Sequence, residues 1–165
     1  METNIKNDFI ILTDTRQQKE AHINQVFDEA GILHVRTCLP SGDYIAIRHD
    51  PERGFYKDYS IIIDTKKDLA EVCGNLCSKD HRRIIDEVTT AKQLGCKHFI
   101  FLIGDSKINS VEDIINWKHK KIKTPGERLY KTMKTFKEHH KCSFIFCKRN
   151  ELGKYIIKLL TEIKQ

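Results

Sequence analysis

The chain has 165 residues, 39% of them apolar and 32% charged, a mixture that supports one globular core and excludes a disordered or fibrous chain. Its longest apolar runs, Phe9 to Leu12, Ile61 to Ile63 and Phe99 to Ile103, fall far short of the roughly 20 residues a membrane helix requires. The net charge is +6, and Asn116 to Lys137 alone is +7, with eight basic residues against Glu127, leaving −1 for the rest.

Such a local block is the electrostatic footprint of polyanion binding, although a solvated Lys-rich helix face has the same composition. The first eight residues, with two Asn and two acids, do not read as a signal peptide, so a cytoplasmic or nucleoid-associated protein is expected, not a secreted one. The six cysteines include no C-x-x-C pair, and His139, His140 and Cys142 lack a nearby fourth zinc ligand.

Asp8 to Thr13 reads as a buried strand, and Ile23, Val26, Phe27 and Ala30 recur at helical spacing before Gly31. Leu33 to Leu39 and Asp43 to Arg48 read as strands separated by Pro40, Ser41 and Gly42. Tyr59 to Lys66 forms the next strand, and Pro51 and Gly54 between the last two predict an antiparallel hairpin with a long tip over His49 to Asp58. Ile84, Ile85, Val88, Ala91 and Leu94 mark a helix stopped by Gly95, followed by a strand from His98 to Ile103. Ser110 with Asp113 caps a short helix, and Thr124, Pro125 and Glu127 read as N-cap, first-turn proline and N3 carboxylate of a helix through His140. A strand from Ser143 to Cys147 and a helix bearing Leu152, Tyr155, Ile156, Leu159, Leu160 and Ile163 complete the order β-α-β-β-β-α-α-β-α-α-β-α. That order predicts a single α/β domain over residues 1–165, a mixed sheet flanked by helices. The apolar face of the last helix suits core packing better than a dimer surface.

The chemistry concentrates at strand ends. Asp64 and Lys66, two apart on one strand, leave the same face, and Thr65 leaves the other. With the hairpin centred near Arg53 and Gly54, Asp43 falls opposite Asp64, close enough to share a cation. Two carboxylates, a backbone carbonyl at Thr65 and water make the oxygen-rich shell that Mg²⁺ or Mn²⁺ prefers. Lys66 beside them offsets transition-state charge or helps activate water. Asp14 ends the first strand, within reach of the same cluster, and Arg16 suits a phosphate or a structural carboxylate. No G-x-x-x-x-G-K-[ST] is present, so a nucleotide cofactor is not expected. Trp117, alone among lysines, reads as core rather than as a base-stacking ring.

These segments, Thr13-Asp14-Thr15-Arg16-Gln17, Gly42-Asp43-Tyr44, Ile63-Asp64-Thr65-Lys66 and His81-Arg82-Arg83-Ile84-Ile85-Asp86-Glu87, resemble the XPF/MUS-type structure-specific endonuclease domain, a branch of the restriction-endonuclease-like PD-(D/E)xK fold. The likeness covers residues 9 to 104, and the Gly126-Glu127-Arg128-Leu129 helix and Phe144-Ile145-Phe146-Cys147 strand are similar to small single-domain phage and bacterial members. The resemblance implies Asp14, Asp43 and Asp64 as metal-binding carboxylates, Lys66 as the catalytic lysine, and Arg82 or Arg83 facing DNA. With Arg16, Lys118, Lys120, Lys121 and Lys123 completing the basic surface, it implies a Mg²⁺-dependent endonuclease cutting branched, flap or junction DNA in recombination or repair, commonly as a homodimer. The sequence departs from the family pattern at Gln17 for Glu, Asp64 for Glu, Thr65 for Arg and Ala70 for Asp, with Glu20 or Glu71 as compensating acids, and no helix-hairpin-helix module follows. Two other readings fit the same residues: a DNA-binding or scaffolding module that kept this fold and lost turnover, and a basic module that binds an acidic protein.

Overall fold

A computed structural model describes residues 9–17 and 21–162. Glu20 and Ile163 therefore lie outside the described residues. Six strands form one sheet: β1 (Phe9–Asp14), β2 (Leu33–Thr37), β3 (Tyr44–Asp50), β4 (Gly54–Lys66), β5 (His98–Ile103) and β6 (Cys142–Phe146), in the order β2-β1-β3-β4-β5-β6. β3 runs antiparallel to β1 and β4, while the β1/β2, β4/β5 and β5/β6 pairs are parallel. The helices are α1 (Ala21–Glu29), α2 (Leu69–Leu76), α3 (His81–Gln93), α4 (Val111–Ile115), α5 (Gly126–His140) and α6 (Leu152–Glu162), the last preceded by a 3-10 turn over Arg149–Glu151. The expected element order and the mixed sheet flanked by helices are what the structure has.

Strand alternation divides the core in two. Ile11, Tyr44, Ile63 and Leu102 pack against Ile23 and Phe27 of α1 and Leu152, Ile156 and Leu160 of α6. Leu12, Ile45, Ile62 and Phe101 pack against α2, α3 and α5 on the other face, through Leu69, Ile84, Val88, Leu129 and Phe136. The apolar face of α6 is thus core. Trp117 also packs against the core, half-buried, with its ring stacked on His119.

Three local expectations change. The hairpin tip is short: β3 and β4 zip up to the Asp50–Gly54 pair, and Asp50 Oδ1 accepts the N–H groups of Glu52 and Arg53, each at 2.9 Å. The register at the site end is the expected one, Tyr44 opposite Ile63, but nearer the tip Ala46 pairs with Asp58, so an irregularity absorbs extra residues of β4. Finally, Pro125, not Thr124, is the N-cap of α5, which starts at Gly126. A Cβ at Gly126 would lie 2.2 Å from the Ile114 carbonyl oxygen, so the close α4–α5 approach requires glycine there.

Candidate active site

The C-terminal ends of β1 and β4 and the start of β3 meet at one end of the sheet. The Asp14 N–H donates to the Asp43 carbonyl at 2.8 Å, and the Asp43 N–H to the Ile63 carbonyl at 2.8 Å. Gly42 makes the turn possible. Its φ is +68°, and a Cβ would meet Ile62 Cγ2 at 2.2 Å, so only glycine brings the chain this close to β4.

Asp64 and Lys66 are buried side by side and ion-paired through Lys66 Nζ and Asp64 Oδ1. Burial disfavours the ammonium, but Asp64, with Asp43 behind it, outweighs that and holds the Lys66 pKa above its ordinary value. Asp43 Oδ2 accepts both the Thr65 N–H, at 2.7 Å, and the Thr65 hydroxyl, at 2.8 Å. Thr65 therefore fixes Asp43. Burial, and then the charge of Asp64, raise the Asp43 carboxyl to about 7, against a hydrogen bond from Gln17 and the field of Lys66.

A fourth side chain joins the group from α3. Glu87 Oε1 accepts the Gly42 N–H at 3.1 Å, its carbonyl accepts the Ser41 hydroxyl at 2.9 Å, and burial followed by Asp64 raises its pKa. Glu87 closes the His81–Glu87 segment of the family resemblance, and its spacing alone assigns it no role. Its position beside the Ile84–Val88–Ala91 stripe, an acid at the edge of a buried helix face, was the available signal.

Asp14 is buried too, but its carboxylate is engaged by Arg16, through the Arg16 backbone N–H and the guanidinium, which also donates to the Leu39 carbonyl at 3.0 Å. Burial works against the Asp14 anion, and these bonds more than offset it, so its pKa lies below the usual range. Arg16 takes the role of structural carboxylate partner. Glu71 turns back to the Lys67 N–H at 2.9 Å, near enough to Lys66 to favour its charge, while Ala70 carries no polar group to this corner.

Arg82 and Arg83 are exposed on the first turn of α3, and Arg83 lies 3.8 Å from Glu87. Lys118, Lys120, Lys121 and Lys123 are exposed on the loop between α4 and α5, not on a helix face. His119 of that loop lines a shallow open pocket together with Lys67, Ala70 and Glu71, just past the end of β4.

Among the described residues, no three His, Cys, Asp or Glu side chains are gathered closely enough to hold a metal ion unaided. The donor chemistry nevertheless suits a hard divalent cation: Asp43, Asp64 and Glu87 are oxygen donors, and two of them are pushed toward protonation by burial and by Asp64. Lys66 alone does not neutralise that charge.

The ERCC4 domain family matches residues 13–159 of the chain. No curated protein matches by sequence. Among solved structures, XPF from Aeropyrum pernix superposes with a TM-score of 0.64 at 12% identity, over 92% of this chain and 63% of that one. The same protein in complex with DNA gives 0.64 and 12%, over 92% of this chain and 62% of that one. This chain thus spans less than two thirds of those relatives, and the shared part is the restriction-endonuclease-like sheet and its helices.

Proposed function

The chain belongs to the ERCC4 domain family, and from that membership we propose that it is a metal-dependent endonuclease hydrolysing phosphodiesters in branched DNA, as in recombination or repair. The observation that carries the proposal is the group of buried Asp64 and Lys66 with half-buried Asp43 and Glu87, where β1 and β4 end and β3 begins. DNA as the substrate is supported by the complex formed by the Aeropyrum pernix XPF and by the +7 block of this chain.

Asp43 and Asp64, with Glu87 beside them, would hold a Mg²⁺ or Mn²⁺, which when bound supplies Lewis-acid polarisation of the phosphate and a more acidic water. Lys66 remains an ammonium because Asp64 is against it, so it serves as a fixed positive charge and hydrogen-bond donor to a phosphate oxygen. It is not a proton acceptor in that state. The Thr65 clamp keeps Asp43 oriented, and Arg82 and Arg83 lie on the adjoining helix, where the backbone of the strand would pass.

The test is cleavage of labelled duplex, single strand, flap, fork and four-way junction with Mg²⁺ or Mn²⁺. Asp43→Ala and Lys66→Ala are each expected to lower the rate by roughly a hundredfold or more, as loss of one preorganised electrostatic group does. Metal-independent cutting, or cutting unaffected in both variants, would remove the active-site reading.

One observation favours a second reading. Gln17 stands where the family carries Glu and donates a hydrogen bond to Asp43, and Asp14 is occupied by Arg16, so the site has fewer free anions than the pattern it resembles. A binding-only module follows if calorimetry finds no Mg²⁺ or Mn²⁺ uptake that depends on Asp43 and Asp64 while DNA binding persists.

A further inference from the structure

A second groove opens between α3 and α5, away from the carboxylates. Its lining residues are His81, Arg128, Lys131, Thr132, Thr135, Phe136, His139 and His140, and none of them is acidic. Phe136 forms the floor, with the His81 ring edge-on at 5.8 Å and His140 against it at 4.3 Å. Arg128, Thr132, Thr135 and His139 recur at helical spacing, so they line one face of α5 over about 16 Å. Arg128 and His139 mark its two ends, both exposed. Lys131 is paired with Glu127 at 2.9 Å. The Nδ1 of His81 is buried and has no hydrogen-bond partner among the described residues, a polar group at the floor that nothing in the fold explains.

The groove and the site share α3, which contributes one residue to each. His81 is six residues, about 9 Å along the helix, from Glu87, and Arg82 and Arg83 lie between them. We propose that this groove holds the phosphodiester backbone of one DNA arm beyond the point of cleavage, with Arg128 and His139 as the end contacts and the Thr135 hydroxyl between them. It rests on the DNA-cleaving reading above and adds the path the nucleic acid takes. A track about 16 Å long spans a few consecutive phosphates of one strand. A hydroxyl and N–H groups with no acid among them suit that repeating anion, whereas an acidic peptide carries its charges at irregular spacing.

The test is fluorescence anisotropy of a labelled fork, with Ca²⁺ in place of Mg²⁺, for wild type, the Arg128→Ala/His139→Ala double variant and Lys154→Ala. Lys154 is exposed on α6, which packs against the other sheet face, so it controls for loss of charge alone. The double variant is expected to bind about tenfold more weakly at 0.1 M salt, and its plot of log K against log salt to be shallower by about 1 to 2. Lys154→Ala should match wild type. Equal affinity and slope in wild type and double variant, with wild type still cutting DNA, overturns the groove and leaves the nuclease reading standing. A wild type that neither binds nor cuts overturns both. If the double variant loses binding to poly-glutamate and keeps its affinity for the fork, the groove is a protein-docking surface instead.

Discussion

At the scale of single residues, the site is a contest between burial and charge. Asp43 titrates near 7 because burial and Asp64 both oppose its anion. The folded protein therefore holds a proton that the unfolded chain releases near 3.8, so this group contributes stability at low pH and loses it as pH rises toward 7. A divalent cation must displace that proton. The stabilisation given by 5 mM Mg²⁺ should thus grow from pH 6 to pH 8, read as the difference in Tm with and without metal, and Asp43→Asn should flatten it. Glu87 separates two roles of one side chain. Glu87→Gln keeps an acceptor for the Gly42 N–H and removes a negative charge, so calorimetry should find Mg²⁺ bound about tenfold more weakly with little change in Tm. An unchanged metal affinity would leave Glu87 as a purely structural contact. Asp64 and Lys66 were legible as a same-face pair from the two-residue period. Glu87 was not, because its partner Gly42 is 45 positions away and helix periodicity states only which edge it occupies.

At the scale of elements, the β3–β4 hairpin positions the chemistry. The Arg48 guanidinium donates to Asp58 Oδ2 at 2.5 Å and to the Leu160 carbonyl at 2.6 Å, tying the hairpin to the end of α6. Burial opposes the Asp58 anion, but Ser60 and Arg48 outweigh it and lower its pKa. Its contribution is therefore present at neutral pH and lost as pH falls below about 4. Arg48→Met should cost about 2 to 3 kcal/mol in urea unfolding at pH 7, somewhat less than for a fully buried pair because Arg48 is partly exposed. That deficit should shrink toward pH 3. Gly42→Ala faces both a left-handed backbone and the Ile62 side chain, for an expected loss of about 2 to 4 kcal/mol together with loss of activity. A Gly42→Ala protein with wild-type Tm and full cleavage would show that the turn has room the geometry denies it. Strand His98–Ile103 was legible in full as a continuous apolar run, whereas the tip of the hairpin was misread because Pro51 and Gly54 mark a turn without stating how far the strands zip toward it.

At the scale of the molecule, two helical layers leave one end of the sheet for the acids and a basic rim beside it. Arg82 and Arg83 are exposed at the start of α3, Arg83 within reach of Glu87, and the four lysines are exposed on the α4–α5 loop, so DNA affinity should be strongly salt-dependent. Replacing Lys118, Lys120, Lys121 and Lys123 by Ala should weaken binding of every DNA structure to a similar degree and make the salt slope shallower by about 3 to 4, as measured by anisotropy between 50 and 200 mM salt. A change confined to one branched substrate would instead assign the loop to shape recognition. The amino-acid sequence by itself determined the order of elements, the two apolar faces of the sheet, the charged block and the Asp64–Lys66 pair, because each depends on local periodicity or composition. Tertiary structure alone decided that Glu87 joins the carboxylates through the Gly42 N–H, and that Arg16 reaches across to the Leu39 carbonyl while it holds Asp14. Those outcomes depend on how packed layers bring distant strand ends and helix edges together, and no local spacing carries that information.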